Sequence, residues 1–271
     1  MFEYLSREVF ETDELRPYQK RALVRCVDPA YNDSKLLLVT RTGSGKSHIM
    51  RTLGVAMNGV IVIFVPLLSL SADQICKMKE AKQHFGSVET HHLDEFPTDD
   101  DGISLQTIVD RMSQLQEETM STMFLFLSPQ FLCRKSSKPL LDALIEAYGR
   151  KVLRVVGIDE AHLFVQHSSF RLEIPMLKEL FFEKVFDKKH PRSDPIFLAM
   201  TATMPSHFVP KLEALTTVQL TDQRILRGSL NHFEQRGIKF EYFVRDSLVA
   251  GLDQLVEVIK TTENVFCRRT V

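Results

Sequence analysis

The apolar run Lys35-Leu36-Leu37-Leu38-Val39 breaks into Thr40-Arg41-Thr42-Gly43-Ser44-Gly45-Lys46-Ser47, and a helical pattern begins at Lys46. A strand that passes into a helix through a glycine-rich turn leaves few folds open. Glycines let the backbone close around an anion, so that successive N–H groups and the helix N-terminus face it. A lysine then reaches the terminal phosphates and a hydroxyl ligates Mg²⁺. The stretch matches the phosphate-binding pattern G-x-x-x-x-G-K-[ST] with one departure, Thr40 in the place of the first glycine. Thr42, Gly43, Ser44, Gly45, Lys46 and Ser47 are the candidate nucleotide-binding residues, with Ser47 also a metal ligand and Lys46 also catalytic.

The rest of the chain repeats the alternation. Runs rich in Val, Ile, Leu and Phe suggest strands at Lys35–Val39, Val60–Val65, Val88–Leu93, Met123–Leu127, Leu153–Asp159 and Ile196–Met200. Between them, apolar residues recurring three and four positions apart suggest helices at Lys46–Met57, Ser71–His84, Ile103–Glu117, Pro139–Tyr148, Met176–Phe186 and Ser206–Leu215. Such a series is the signature of βαβ units, so residues 1–220 are expected to form one doubly wound α/β domain on a parallel sheet. The polar, irregular stretch 221–237 is expected to be a linker. Residues 238–271 suggest one further βαβ unit, too small to bury a core alone.

A second anchor is Val155-Val156-Gly157-Ile158-Asp159-Glu160-Ala161-His162. Ligands of open parallel sheets sit at the carboxyl ends of strands, so Asp159 and Lys46 can converge on one nucleotide. Asp159 is then the candidate Mg²⁺ ligand, and Glu160 the group that orients and activates an attacking water. An acidic pair after a strand also suits a helix N-cap. Its pairing with the phosphate loop favours catalysis.

Composition excludes little else. The 34 Lys and Arg balance 35 Asp and Glu, so nucleic-acid binding needs a locally organised surface. Cys26, Cys76, Cys133 and Cys267 lack C-x-x-C spacing, and MFEYLSREVF is too charged for a secretory signal, so a reducing compartment is expected. That means the nucleus in a eukaryote, otherwise the cytoplasm. The longest apolar run, Gly59–Leu70, is well short of the ~20 residues of a membrane span and reads as a buried strand. His91-His92 and Asp99-Asp100-Asp101 read as a solvated loop.

With these motifs in order, the chain resembles the superfamily-two helicases. Leu15-Arg16-Pro17-Tyr18-Gln19 is similar to their adenine-reading motif, with Arg16 and Gln19 at the base. Asp159–His162 is a DEAH form of motif II, and Met200-Thr201-Ala202-Thr203 resembles motif III; the resemblance implies that His162, Thr201 and Thr203 couple hydrolysis to movement on a nucleic-acid track. Within the superfamily the chain is most similar to the RecQ group. Val65–Gln74 (VPLLSLSADQ) resembles motif Ia, placing Ser69 and Gln74 at a DNA phosphate, and Phe126–Leu132 (FLSPQFL) resembles a track-gripping segment through Ser128 and Pro129. Gln166–Arg171 (QHSSFR) resembles the aromatic-rich loop that senses single-stranded DNA, with His167 in place of the family tryptophan and Phe170 and Arg171 retained.

The resemblance implies a RecA-like domain that uses ATP and Mg²⁺ in a 3′–5′ DNA helicase, with single-stranded or partly duplex DNA as partner. RNA stays open as the track, and so does an ATP- and nucleic-acid-binding module without turnover. Glu263–Val271 (ENVFCRRTV) resembles motif IV, the opening of a second RecA-like domain. The chain is accordingly expected to be the first half of a motor, completed by the rest of that domain or by a partner, with no membrane involved.

Overall fold

The five strands that the apolar runs suggest most strongly are buried along their length because both faces of a parallel sheet are covered. In the computed structural model the described residues are 1–10, 14–28, 34–65, 87–93, 104–118, 120–186 and 195–228. The chain divides into a unit Met1–Gly228 and a unit Ser229–Val271, and all described residues belong to the first. The expected helix Ser71–His84, the candidates Ser69 and Gln74, and the expected βαβ unit at 238–271 lie outside the described residues.

The strands are β1 (Lys35–Val39), β2 (Gly59–Phe64), β3 (Ser87–His92), β4 (Ser121–Leu127), β5 (Leu153–Ile158), β6 (Ile196–Thr201) and β7 (Ile225–Arg227). They form one seven-stranded sheet in the order β3-β4-β2-β5-β6-β1-β7, parallel throughout. The α/β doubly wound expectation holds. The central strand β2 is buried at every position, whereas β3, at one edge, is mostly polar and half-exposed. A polar edge strand discourages pairing with another chain.

Helices α1 (Phe2–Glu8), α2 (Pro17–Val27), α3 (Lys46–Met57), α4 (Leu105–Gln114), α5 (Pro129–Leu132), α6 (Lys138–Gly149), α7 (Ala161–His167), α8 (Glu173–Leu177), α9 (Glu183–Val185) and α10 (Val209–Thr216) cover the faces. Alternation along the strands divides the core in two. Leu36, Leu38, Ile61, Ile63, Phe124 and Phe126 pack under α1, α2 and α3 with Leu23, Ile49 and Leu53. Leu37, Val60, Val62, Phe64, Leu125 and Leu127 pack on the other face with Leu144, Phe164 and Phe182. There a π-helical turn, Lys178–Phe182, joins α8 to α9 and leaves the adjacent Phe181 and Phe182 both fully buried, each about 5.6 Å from the Phe64 ring. The expected single helix Met176–Phe186 is thus three contiguous short segments, two α-helical with the π-helical turn between them.

Residues 221–228, expected to open a linker, instead carry a 3₁₀ turn (Asp222–Arg224) and β7, which pairs with β1 through Leu37, Leu38 and Val39. Three residues that bury only Leu226 leave no hydrophobic period to read.

Helix α1 rests on α3 through a buried polar contact, Ser6 Oγ to His48 Nε2 at 2.8 Å, with the Phe10 ring edge-on to the imidazole. Burial, and secondarily the Arg51 guanidinium, hold the His48 pKa down at about 4. The unfolded chain takes up this proton near 6.5, so it binds more protons than the folded chain between about pH 4 and 6.5. The stability owed to neutral His48 is complete above about pH 6.5 and is lost as pH falls toward 4, on the order of 3 kcal/mol in all. Urea unfolding over pH 4 to 7 is expected to show a shallower acid loss in His48→Gln than in the parent; equal slopes would exclude this origin.

Candidate nucleotide site

The loop between β1 and α3 is pinned at its first residue, because Thr40 N–H donates to the Thr201 carbonyl of neighbouring β6 at 2.9 Å. Gly43 and Gly45 take φ of 71° and 96°, the left-handed region that a Cβ disfavours. At Gly45 space is limiting as well, since a Cβ there would lie 2.6 Å from Gln19 Nε2. A Cβ on Gly43 would meet nothing within 4 Å, and the Ser44 hydroxyl is buried with no hydrogen-bond partner among the described residues. Open space before one glycine and an unsatisfied buried donor beside it fit a phosphate group.

Lys46 opens α3 with its side chain buried, and its ammonium donates to Thr40 O (3.1 Å) and Arg41 O (3.3 Å). Desolvation lowers its pKa, while the Glu160 and Asp159 carboxylates act in the opposite sense. The chain therefore brings the lysine of β1–α3 and the acidic pair after β5 into one electrostatic site.

How they meet follows from parity. A register shift in the β2–β5 pairing sets Val60 against Leu153 but Ile61 against Val155, so Arg154 is an extra residue. From there Val155 faces α3, Gly157 faces Met50 of α3, and alternation carries Asp159 to the same side. Asp159 is buried, its N–H bonded to Phe64 O and its Oδ1 accepting the N–H of Glu160, both at 3.0 Å. Glu160 sits at φ 48°, ψ 52°, a left-handed conformation costing a non-glycine residue about 1 to 3 kcal/mol. That turn sends α7 to the opposite face of the sheet.

On that face His162 Nδ1 lies 2.7 Å from Thr201 Oγ1 and 3.3 Å from Glu160 Oε2. Thr201 is fully buried and has a single hydroxyl proton, which goes to Thr203 O at 2.8 Å. A proton on His162 Nδ1 satisfies both contacts, to Thr201 and to Glu160. Asp159, Glu160, His162, Thr201 and Thr203 form one bonded chain across the strand ends.

On the other flank, Arg16 Nη1 donates to Ser44 O at 2.9 Å, and the Tyr18 hydroxyl donates to the same carbonyl. Gln19 Oε1 accepts the Arg16 N–H (2.8 Å), and its Nε2 donates to Gly45 O (3.2 Å). The expected base-reading amide is buried and ties α2 to the loop, with one acceptor site and one N–H remaining for a ligand.

The family model for DEAD/DEAH box helicases matches residues 16–211. The chain belongs to this family. Among curated relatives of the DEAD/DEAH box chain, ATP-dependent DNA helicase Q5 of Rattus norvegicus is 25% identical over 59% of the chain and 15% of its own length. A putative ATP-dependent DNA helicase Q1 of Caenorhabditis elegans is 22% identical over 79% of the chain and 30% of its own length. The RecQ-like DNA helicase BLM of Xenopus laevis is 27% identical over 81% of the chain and 14% of its own length. The chain thus spans less than a third of each. In structure it is similar to the DUF1998 helicase MrfA, solved bound to DNA, with a TM-score of 0.53, 18% identity and coverage of 84% of this chain and 27% of that one.

For the DEAD/DEAH box domain, the remaining candidates divide by exposure. Ser128 and Pro129, expected to grip a track, are buried: the Ser128 hydroxyl caps α5 by accepting the Phe131 N–H at 3.1 Å. The exposed cations at this corner are Arg134, Lys135 and Lys138, which sequence reading passed over because their spacing matches no motif. Phe170 is 66% exposed, with His167 5.1 Å away and the Arg171 guanidinium 5.9 Å away, so it is not a core residue. Leu172 and Met176 extend that exposed apolar surface. Tyr18 was also missed as a contact of the loop, although it lies inside the quoted LRPYQ. Among the described residues no helix is long and apolar enough to cross a membrane.

Thr201→Val keeps the shape of the side chain but removes the oxygen shared by His162 and Thr203. A loss of about 1 to 3 kcal/mol is expected in denaturant unfolding. Because both act on one contact, Thr201→Val and His162→Ala should combine to less than the sum of their separate losses, whereas independent sites add. Additive losses would show that the contact contributes nothing.

Proposed function

We propose that the chain is the first motor domain of a RecQ-type, ATP-dependent DNA helicase that moves 3′ to 5′ on single-stranded DNA. The observation that carries the proposal is the meeting of a buried phosphate-loop lysine with two carboxylates at the ends of β1 and β5. The curated relatives named above are all DNA helicases, which favours DNA as the track over RNA.

Each group has a task its surroundings suit. Lys46, partly desolvated and held by two weakly bonded carbonyls, moves its ammonium to the β- and γ-phosphates at little cost. Ser44 and the N–H groups around Gly43 and Gly45 orient the same phosphates. Ser47 and Asp159 would hold Mg²⁺, which when bound neutralises phosphate charge. Glu160, fixed by its left-handed turn, orients the attacking water and takes its proton. His162 and Thr201 then carry any shift of Glu160 to motif III. Gln19 and Arg16 read the base from α2. The opposite wall of the cleft, with a cation for the developing charge, comes from a second RecA-like domain, to whose opening residues 238–271 are similar, or from a partner.

The test is ATP binding and hydrolysis, measured on this chain and on a form extended through a second motor domain. Lys46→Ala should abolish nucleotide binding, and Glu160→Gln should keep binding while lowering turnover about 100-fold or more. Single-stranded DNA should accelerate hydrolysis by the extended form, and duplexes with 3′ overhangs should be unwound in preference to those with 5′ overhangs. Hydrolysis by the extended form that DNA leaves unchanged would overturn the proposal, and stimulation by RNA alone would reassign the track.

A further inference from the structure

The first unit ends at Gly228, and the last two residues of that unit touch the segments that begin the phosphate loop and follow β6. Gly228 N–H donates to Val39 O at 2.8 Å, immediately before the phosphate loop begins. A Cβ on Gly228 would stand 2.6 Å from Thr40 Oγ1 and 3.0 Å from Thr40 Cβ. The backbone of Gly228 is not in the left-handed region, so space and not conformation demands glycine here. Thr40 has little room to yield. Its N–H is bonded to Thr201 O, its carbonyl accepts from Lys46 Nζ, and its β-branched side chain has restricted rotamers. The preceding Arg227 donates from Nη1 to Met204 O at 3.3 Å, just past the motif III threonines.

We infer that Gly228 is a positioning residue for the nucleotide site, and that β7 sets the phosphate loop through it. The missing side chain makes room for Thr40, the residue that departs from the loop pattern, and Thr40 O in turn helps seat the Lys46 ammonium. Thr40 and Gly228 are a size-matched pair, one large where the pattern has glycine and one absent where it meets the first. By linkage, whatever draws Lys46 from Thr40 O also acts on the strand that leads out of the unit. The inference rests on the reading of Lys46 as a phosphate-binding lysine.

The test is a double-mutant cycle on the full chain, read as the Kd for a fluorescent ATP analogue with Mg²⁺, alongside thermal unfolding. Gly228→Ala should weaken binding about tenfold, within the range seen for residues in direct contact. Thr40→Ala, which removes the opposing oxygen, should restore most of that loss in the Gly228→Ala background, whereas Thr40→Val, of unchanged shape, should not. A purely structural role would move the unfolding midpoint and leave Kd alone. If Gly228→Ala does not fold, recovery of folding and binding in Thr40→Ala/Gly228→Ala carries the inference, and failure of that double variant overturns it. Parent-like binding by Gly228→Ala, or equal rescue by Ala and Val, overturns the inference alone. No binding by the parent chain overturns the nucleotide reading and the inference with it.

Discussion

An ammonium largely removed from water must be met by carbonyls, carboxylates or a bound anion, and Lys46 sets that requirement for the unit. Two of its partners are carbonyls of its own loop, and the carboxylates that favour its charge follow β5. They meet only if β1 and β5 end at the same edge of the sheet with one strand between them. The order β5-β6-β1, all parallel, provides this, and β6 between them ends in Thr201. The covering helices follow from that arrangement, since parallel strands need crossovers and the crossovers bury both faces.

Motif II works as a divide between those faces. The extra residue at Arg154 and the alternation after it direct Asp159 toward α3, while the left-handed Glu160 throws α7 to the far side. One short segment thereby holds the metal-ligand candidate on the lysine's side and His162 on the other, bonded to Thr201. Glu160 thus touches Asp159 on one side and His162 on the other. The strain at Glu160 is local and is offset by the hydrogen bond its N–H makes to Asp159.

Much of this was legible in the residues. Among the described residues the apolar runs marked β1, β2, β4, β5 and β6 because buried parallel strands need little besides Val, Ile, Leu and Phe, and the polar edge strand β3 was marked as well. The exception, β7, is held by backbone pairing to β1, by the buried Leu226 and by the Arg227 bond to Met204 O, and none of these leaves a pattern. Lys46, Asp159 and Glu160 were legible as candidates because phosphate chemistry dictates residue types at fixed spacing, whereas His162 and Thr201 came from likeness to the helicase motifs. Ser128 and Pro129 were read as track-gripping residues from likeness alone, and the structure buries both, with the serine hydroxyl capping α5, a local demand that competes with any ligand. Phe170 went the other way, an aromatic ring left in solvent against His167 and Arg171.

By itself, then, the sequence determined the class of fold, the phosphate loop and the acidic pair, since these depend on periodicity and on chemistry within a few residues. Tertiary structure alone decided which face Asp159 occupies, that His162 meets Thr201, that Gln19 is engaged with Gly45, and that Gly228 stands against Thr40. Each of these is a contact between residues 26 to 188 positions apart, set by strand order and close packing. No local pattern encodes such a contact, because either partner alone would suit many other neighbours.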